Sequence, residues 1–439
     1  MALLIDINDL AVRCYHSGEL LSSEPGYALL EPKQLTLGEL ARQQSRLNPL
    51  TLHHEFWQKL SVQPLLNNTS RLRHNADIAH SQLQQLLQTL PSELHAAPLI
   101  FCLPSSWDSA QLSLFLGLAQ TFDHPVIGLV DSAVAALANH PHSHNHNQLY
   151  VEWHLHEVVI SRVQQAGHDL QRHEVETLAN QGWQSLLEHL VRNIAQIFIQ
   201  KLRFDPRQNA QTEQVLFNKL PKWIRIASLG QEQELSLAGQ RISVSADELL
   251  QHLYSFLSPL TQRLQQAELD ADIQQLVFSD RFSPIAPLLN RYNKSAIINE
   301  HHLAHSFDHL SQQLQQHPDG VHYLMKLPAS NPQEKSTERT PGHTTHLLCE
   351  GHAYPLPTSL YWTLGHQDHG LQRLSTAPNH FLAHFHKQEL IPGTSGHLAI
   401  NGQTVTTPTA LFHGDTISSD QLDKRLDVIQ VHTSLSEHH

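Results

Sequence analysis

The stretch LIFCLPSSWDSAQLSLFLGLAQTFDHPVIGLVDSAVAALA, residues 99–138, decides the fold. With the preceding Pro98 it opens on PLIFCL at 98–103, apolar throughout, as a strand covered on both faces has to be. A helical pattern over 107–121 follows, then a second buried strand at 125–129 (PVIGL) and a helix of small residues at 131–138 (DSAVAALA). Strand, helix, strand and helix in unbroken succession predict an α/β architecture.

On the N-terminal side, 3–7 (LLIDI), 10–16 and 27–30 read as short strands with turns at Asn8-Asp9 and Pro25-Gly26. Helical patterns follow at 51–60 and 76–90. On the C-terminal side come a strand pair at 148–153 and 157–163, an amphipathic helix over 180–203, a β-rich stretch at 222–244 and a long helix at 246–267. QQLVFSD at 274–280 reads as a buried strand and 301–314 as a helix. Residues 328–345 have the Pro, Ser, Thr and charge content of a linker, and short alternating runs split by Gly and Pro follow it. The expected organisation is an α/β domain over 1–316, a linker over 317–345, a small all-β domain over 346–431 and a tail over 432–439.

A formal charge of −13 over 439 residues, with no basic block, argues against nucleic-acid or anionic-membrane binding. Three scattered cysteines form no CxxC pair, and no run of about 18 apolar residues occurs. The N-terminus lacks the basic start of a signal peptide, so a cytoplasmic location and no membrane insertion are expected. Thirty-six histidines are scattered along the chain. His140, His142, His144 and His146 alternate in one loop, where imidazoles could bind nickel or zinc. The parallel enrichment in Gln and scarcity of Lys point instead to compositional drift.

Several segments, in order, resemble the nucleotide-binding domain of the 70-kDa heat-shock chaperones, within the actin-like ATPase superfamily. LLIDI resembles its first phosphate strand, and LTLGELARQQSRLNP at 36–49 the segment after its first hairpin. The run 99–138, with Pro104, Asp108, Gln111 and Ala135-Ala136-Leu137-Ala138, resembles its connecting strand and alanine-rich helix. RISVSADELLQHLYSFL at 241–257, LVFSDRFSPIAPLL at 276–289 and HHLAHSFDHL at 301–310 resemble later elements. The resemblance implies two lobes with ribonuclease-H-like sheets and a cleft bounded by residues 6–10, 152–157 and 278–282. It implies that Asp6, Asp131 and Glu152 stand where the family orients magnesium and water, Asp6 and Glu152 as the metal positions, with Lys59 a loose match to its lysine. Asn8, Asp9, Ser279 and Asp280 then stand where the cofactor ATP would be held.

The departures fall on the phosphate loops. Such loops approach phosphate with backbone N–H groups and need glycines to do so. Here the first hairpin has Asn8-Asp9-Leu10 and the second Glu152-Trp153-His154-Leu155-His156-Glu157. The adenosine turn has Phe278, Ser279 and Asp280, and the closing helix Ser306, in place of glycines. At an effective dielectric near 20, one added like charge at ~4 Å costs about 4 kcal/mol. No ATP binding tighter than about millimolar is therefore expected.

Residues 350–417 resemble a forkhead-associated (FHA) domain, a β-sandwich that reads phosphothreonine. LYWTLGH at 360–366, TSGHLAINGQTV at 394–405 and LFHGDTI at 411–417 carry the resemblance. Of the peptide-binding positions it implies, His366 replaces an arginine, Asn379 a serine and Gly396 an asparagine, beside Ser395 and Asn401. A neutral histidine supplies neither the fixed charge nor the fork of a guanidinium. Two modules with retained scaffolds and altered ligand positions predict a non-catalytic scaffold that binds a protein partner through its C-terminal β domain. The alternatives are a divergent ATPase that uses ATP and magnesium, and a histidine-rich metal binder.

Overall fold

The computed structural model describes residues 2–65, 72–138, 140, 147–166, 169–298, 303, 310, 314, 321–328, 346–349, 352–355, 360–363, 370–372, 381–386, 389–393, 398–400, 403–405, 407–411, 415–419 and 422–429. The chain forms two compact units, Met1–Pro332 and Gln333–His439. Both belong to a mixed α/β protein with several sheets.

The first unit carries two six-stranded sheets. In the first, β1 (Leu3–Asp6), β2 (Val12–His16) and β3 (Glu19–Glu24) form an antiparallel meander, and β4 (Leu99–Leu103) and β5 (Val126–Asp131) add in parallel on the other side of β1. In the second, β6 (Asn147–Trp153), β7 (Glu157–Ala166) and β8 (Asp169–Ala179) form the meander, and β9 (Ile273–Phe278) and β10 (Ser295–Ile297) add in parallel beside β6. The order β3-β2-β1-β4-β5 is thus repeated as β8-β7-β6-β9-β10. Each sheet takes one further strand from a single late segment. Tyr323–Leu324 (β11) pairs with β5, and Lys326–Pro328 (β12) with β8, both within the stretch read as a linker.

Side-chain alternation explains why the central strands are apolar throughout. Leu3, Ile5, Leu99, Phe101 and Leu103 face one core with the helices Asn75–Gln88 and Ser109–Ala119. Leu4, Ile100, Cys102 and Val130 face the core shared by the two sheets. The helix Ser132–Leu137 lies wholly buried in that shared core, where a sequence of mainly small residues lets two sheets close around it. The helices Trp183–Leu202, Ala210–Ser228, Ala246–Phe256 and Ser258–Leu269 cover the second sheet's outer face.

Several elements differ from the sequence reading. The stretch 51–60 is not a helix: Leu52–His53 is a strand paired with Ala28–Leu29, and Phe56, Trp57 and Leu60 are buried from turns. Their helix-like spacing is a coincidence of packing. Residues 222–228 finish the helix Ala210–Ser228, whose apolar face of Leu216, Phe217, Leu220, Trp223, Ile224 and Ala227 overrides the internal Pro221. The β character is confined to the hairpin Gln233–Leu237 and Gln240–Val244, turned by Ala238 and Gly239, both at positive φ. The long helix over 246–267 is two helices, Ala246–Phe256 and Ser258–Leu269, with Pro259 in the first turn of the second. Strands β3 and β8 were not anticipated. The helix read at 301–314 lies mostly outside the described residues.

The second unit contains two antiparallel sheets, of six and five strands, among the described residues. Leu347, Leu360, Trp362, Phe385, Leu390, Leu398, Ile417 and Leu426 are drawn from both and make one apolar cluster. Gly393 is required there, since a Cβ would stand 1.9 Å from the Phe381 carbonyl oxygen.

Candidate functional site

The parallel strands β1, β4, β5, β6 and β9 end around one point, where α/β sheets usually hold their ligands. Two hairpin tips meet there, residues 7–11 between β1 and β2, and 154–156 between β6 and β7. Asn8 shapes the first tip by accepting the Leu10 amide at 2.9 Å. Its Nδ2 donates across to Glu152 Oε1 at 3.1 Å and to the Trp153 carbonyl at 3.2 Å. Asp9 Oδ1 accepts the Leu155 amide at 2.7 Å, so each tip satisfies the other. Gly26 backs the first tip: its amide donates to the Asp9 carbonyl, and a Cβ would stand 2.7 Å from that oxygen.

The tips enclose a network of buried charges. Arg281 Nη2 donates to Asp6 Oδ2 at 2.5 Å and to the Ala11 carbonyl at 3.0 Å. His154 lies between Asp9 (Nδ1 to Oδ1, 3.4 Å) and Glu152 (Nε2 to Oε2, 3.5 Å). Ser132 Oγ donates to Glu152 Oε2 at 2.8 Å. Arg172 Nε stands 2.9 Å from Asp131 Oδ2, the distance of an ion pair without hydrogen-bond alignment. Asp131 also accepts from Ser105 Oγ at 3.0 Å, from Tyr323 at 3.1 Å and from the Ala133 and Val134 amides. Arg13 pairs with Asp280 at 2.7 Å. Asp6, Asp9, Asp131, Glu152, His154 and Arg281 are each 6% exposed or less.

Buried charge is tolerated only when paired. Burial opposes an imidazolium at His154, but Asp9 and Glu152 outweigh it and push its pKa up to about 10. Burial likewise opposes ionisation of Glu152, yet His154, Arg281 and Ser132 bring it down to about 2. Asp9 is lowered by the same histidine against the same burial. At Asp6 and Asp131 burial prevails and holds the carboxyls above their ordinary range despite Arg281 and Arg172.

A cavity of about 330 Å³ opens beside the tips, with Asp9, His154, Glu157, Trp57, Trp107 and Lys59 in its wall. Lys59 is bound to Glu55 at 2.6 Å.

No family model matches the chain, and no curated protein matches it at a significant level.

Asp6, Asp131 and Glu152 therefore come together, with Asn8 and Asp9 beside them. Cys102, central in β4, feels the charge of all three acids, and burial ahead of those charges holds its thiol neutral. Ser279 and Asp280 follow β9. The Ser279 amide extends the ladder to the Val151 carbonyl, while its buried hydroxyl has no partner. His140 is half-buried; His142, His144 and His146 lie outside the described residues, as do His366, Asn379, Ser395 and Asn401. Among the described residues, no group of three His, Cys, Asp or Glu side chains is placed to hold a metal. Nor does any helix among them suffice, in length and apolarity, to cross a membrane. Sequence reading named His154 in the second hairpin without giving it a pairing role, and missed Arg13, Arg172 and Arg281. Asp280-Arg281 directly after an apolar strand was the one available sign. Each acid that would serve a magnesium–nucleotide complex faces an internal cation or imidazolium.

Proposed function

We propose that the chain is a nucleotide-independent scaffold: a degenerate actin-like, heat-shock-chaperone-like ATPase fold followed by a degenerate FHA-like module that captures a protein partner. One observation carries this reading. Asp6, Asp131 and Glu152 are neutralised from within by Arg281, Arg172 and His154. The repeated five-strand order, hairpin tips facing each other across strand ends, supports the two-lobed ancestry. Loops on a rigid scaffold are where partner recognition concentrates, which supports assigning that role to the C-terminal unit.

The test is phosphate release from Mg-ATP by the full chain, compared with Asp6→Asn. The scaffold reading expects background rates from both proteins. Turnover that Asp6→Asn abolishes would instead establish the divergent-ATPase reading, which the survival of three acids at neighbouring strand ends favours.

A further inference from the structure

The cavity beside the hairpin tips carries two carboxylates, Asp9 and Glu157, in its wall. Four side-chain donors around it have partners: Lys59 Nζ with Glu55 at 2.6 Å, Gln58 Nε2 with Glu157 Oε2 at 3.2 Å, Gln111 Nε2 with the Gln58 carbonyl at 2.9 Å, and Trp57 Nε1 with Gln82 at 2.7 Å. His154 is held between Asp9 and Glu152. Asp9, 3% exposed, lines the cavity, and its Oδ2 has no hydrogen-bond partner. Glu157, half-buried in the same wall, accepts from Gln58 through one oxygen. Trp57 and Trp107, stacked at 6.3 Å, and Pro104 supply an apolar side. At about 330 Å³ the space is at the lower end of the roughly 300–1,000 Å³ of small-molecule sites.

We propose that this cavity binds a protonated alkylamine, its ammonium at Glu157 and Asp9 and its short stem against Trp57, Trp107 and Pro104. The ammonium brings three donors to a wall that carries the Asp9 and Glu157 carboxylates, and aromatic faces favour cations further. An anion of the same size meets those carboxylates. The proposal rests on the reading that nucleotide does not occupy the cleft. The amine has two possible sources, a free diamine or the lysine side chain of a partner protein.

The test is titration of the full-length protein, followed by calorimetry and tryptophan fluorescence. The ligands are 1,4-diaminobutane, Nα-acetyl-lysine amide, butyrate and Mg-ATP. Saturable binding of one or both amines is expected, with none of butyrate. The stronger amine identifies the source. Glu157→Gln should weaken amine binding about tenfold or more, as loss of a charge-assisted contact does, with its thermal midpoint near that of the wild type. Absence of saturation by both amines, equal binding of butyrate, or unchanged affinity in Glu157→Gln would overturn the proposal. The butyrate comparison decides the point even if the variant folds poorly. Micromolar Mg-ATP binding is a separate result: it would contradict the scaffold reading, whereas failure of the amines alone would leave that reading intact.

Discussion

His154 is where the two hairpin tips converge, and its imidazolium offsets both Asp9 and Glu152. His154→Gln removes the cation held between two buried carboxylates and is expected to cost about 3–5 kcal/mol in unfolding experiments. The pH dependence follows from the same pair. With its folded pKa raised to about 10, His154 contributes stability that is complete below about 6.5 and lost as pH rises towards 10. With its folded pKa lowered to about 2, Glu152 contributes stability that is present above about 4.5 and lost as pH falls towards 2. The difference in stability between wild type and His154→Gln should therefore be largest between about pH 4.5 and 6.5 and shrink by pH 10. A difference independent of pH across that range would show that His154 is neutral. Arg281 offers a second residue-level test. Arg281→Ala should also cost about 3–5 kcal/mol, and divalent manganese should recover part of that loss by taking the vacated place beside Asp6. Thermal unfolding with and without manganese measures it.

The tips depend on close backbone approach as much as on charge. A Cβ on Gly182 would stand 2.3 Å from the His156 carbonyl carbon, and Trp183, first in the helix Trp183–Leu202, donates its amide to the His154 carbonyl. Gly182→Ala should push that helix off the second tip and lower stability by about 1–3 kcal/mol, as overpacking does, measurable by urea unfolding. Elements of this kind were unevenly legible in the sequence. LLID and LIFCL could be read because strands buried on both faces are apolar at every position. ELLSSE at Glu19–Glu24 could not, since an edge strand with alternating exposure needs no strong pattern. The helix Ala210–Ser228 was hidden by Pro221 and by β-branched neighbours that its burial overrides. At the site, the acids Asp6, Asp131 and Glu152 were named through the family resemblance, and each lies at or one residue before a strand's end. Their arginine partners were not: Arg281 lies 275 residues from Asp6, and only the folded sheet order brings them together.

At the scale of the whole molecule, Met1–Pro332 and Gln333–His439 are separate compact units, and each has its own apolar cluster. On the proposed function, a protein partner captured by the C-terminal unit should be retained in a pull-down both before and after phosphatase treatment, because His366, Asn379 and Ser395 provide no fixed cation for phosphate. Loss of every partner after phosphatase would mark a working phosphothreonine reader. The N-terminal unit carries the central proposal, that a degenerate nucleotide-binding fold has its acidic positions taken up by internal ion pairs. Calorimetric titration of the full chain with Mg-ATP tests it most directly. The account predicts no binding tighter than about millimolar, a free energy weaker than about −4 kcal/mol. Micromolar binding that requires magnesium and is lost in Asp6→Asn would contradict it.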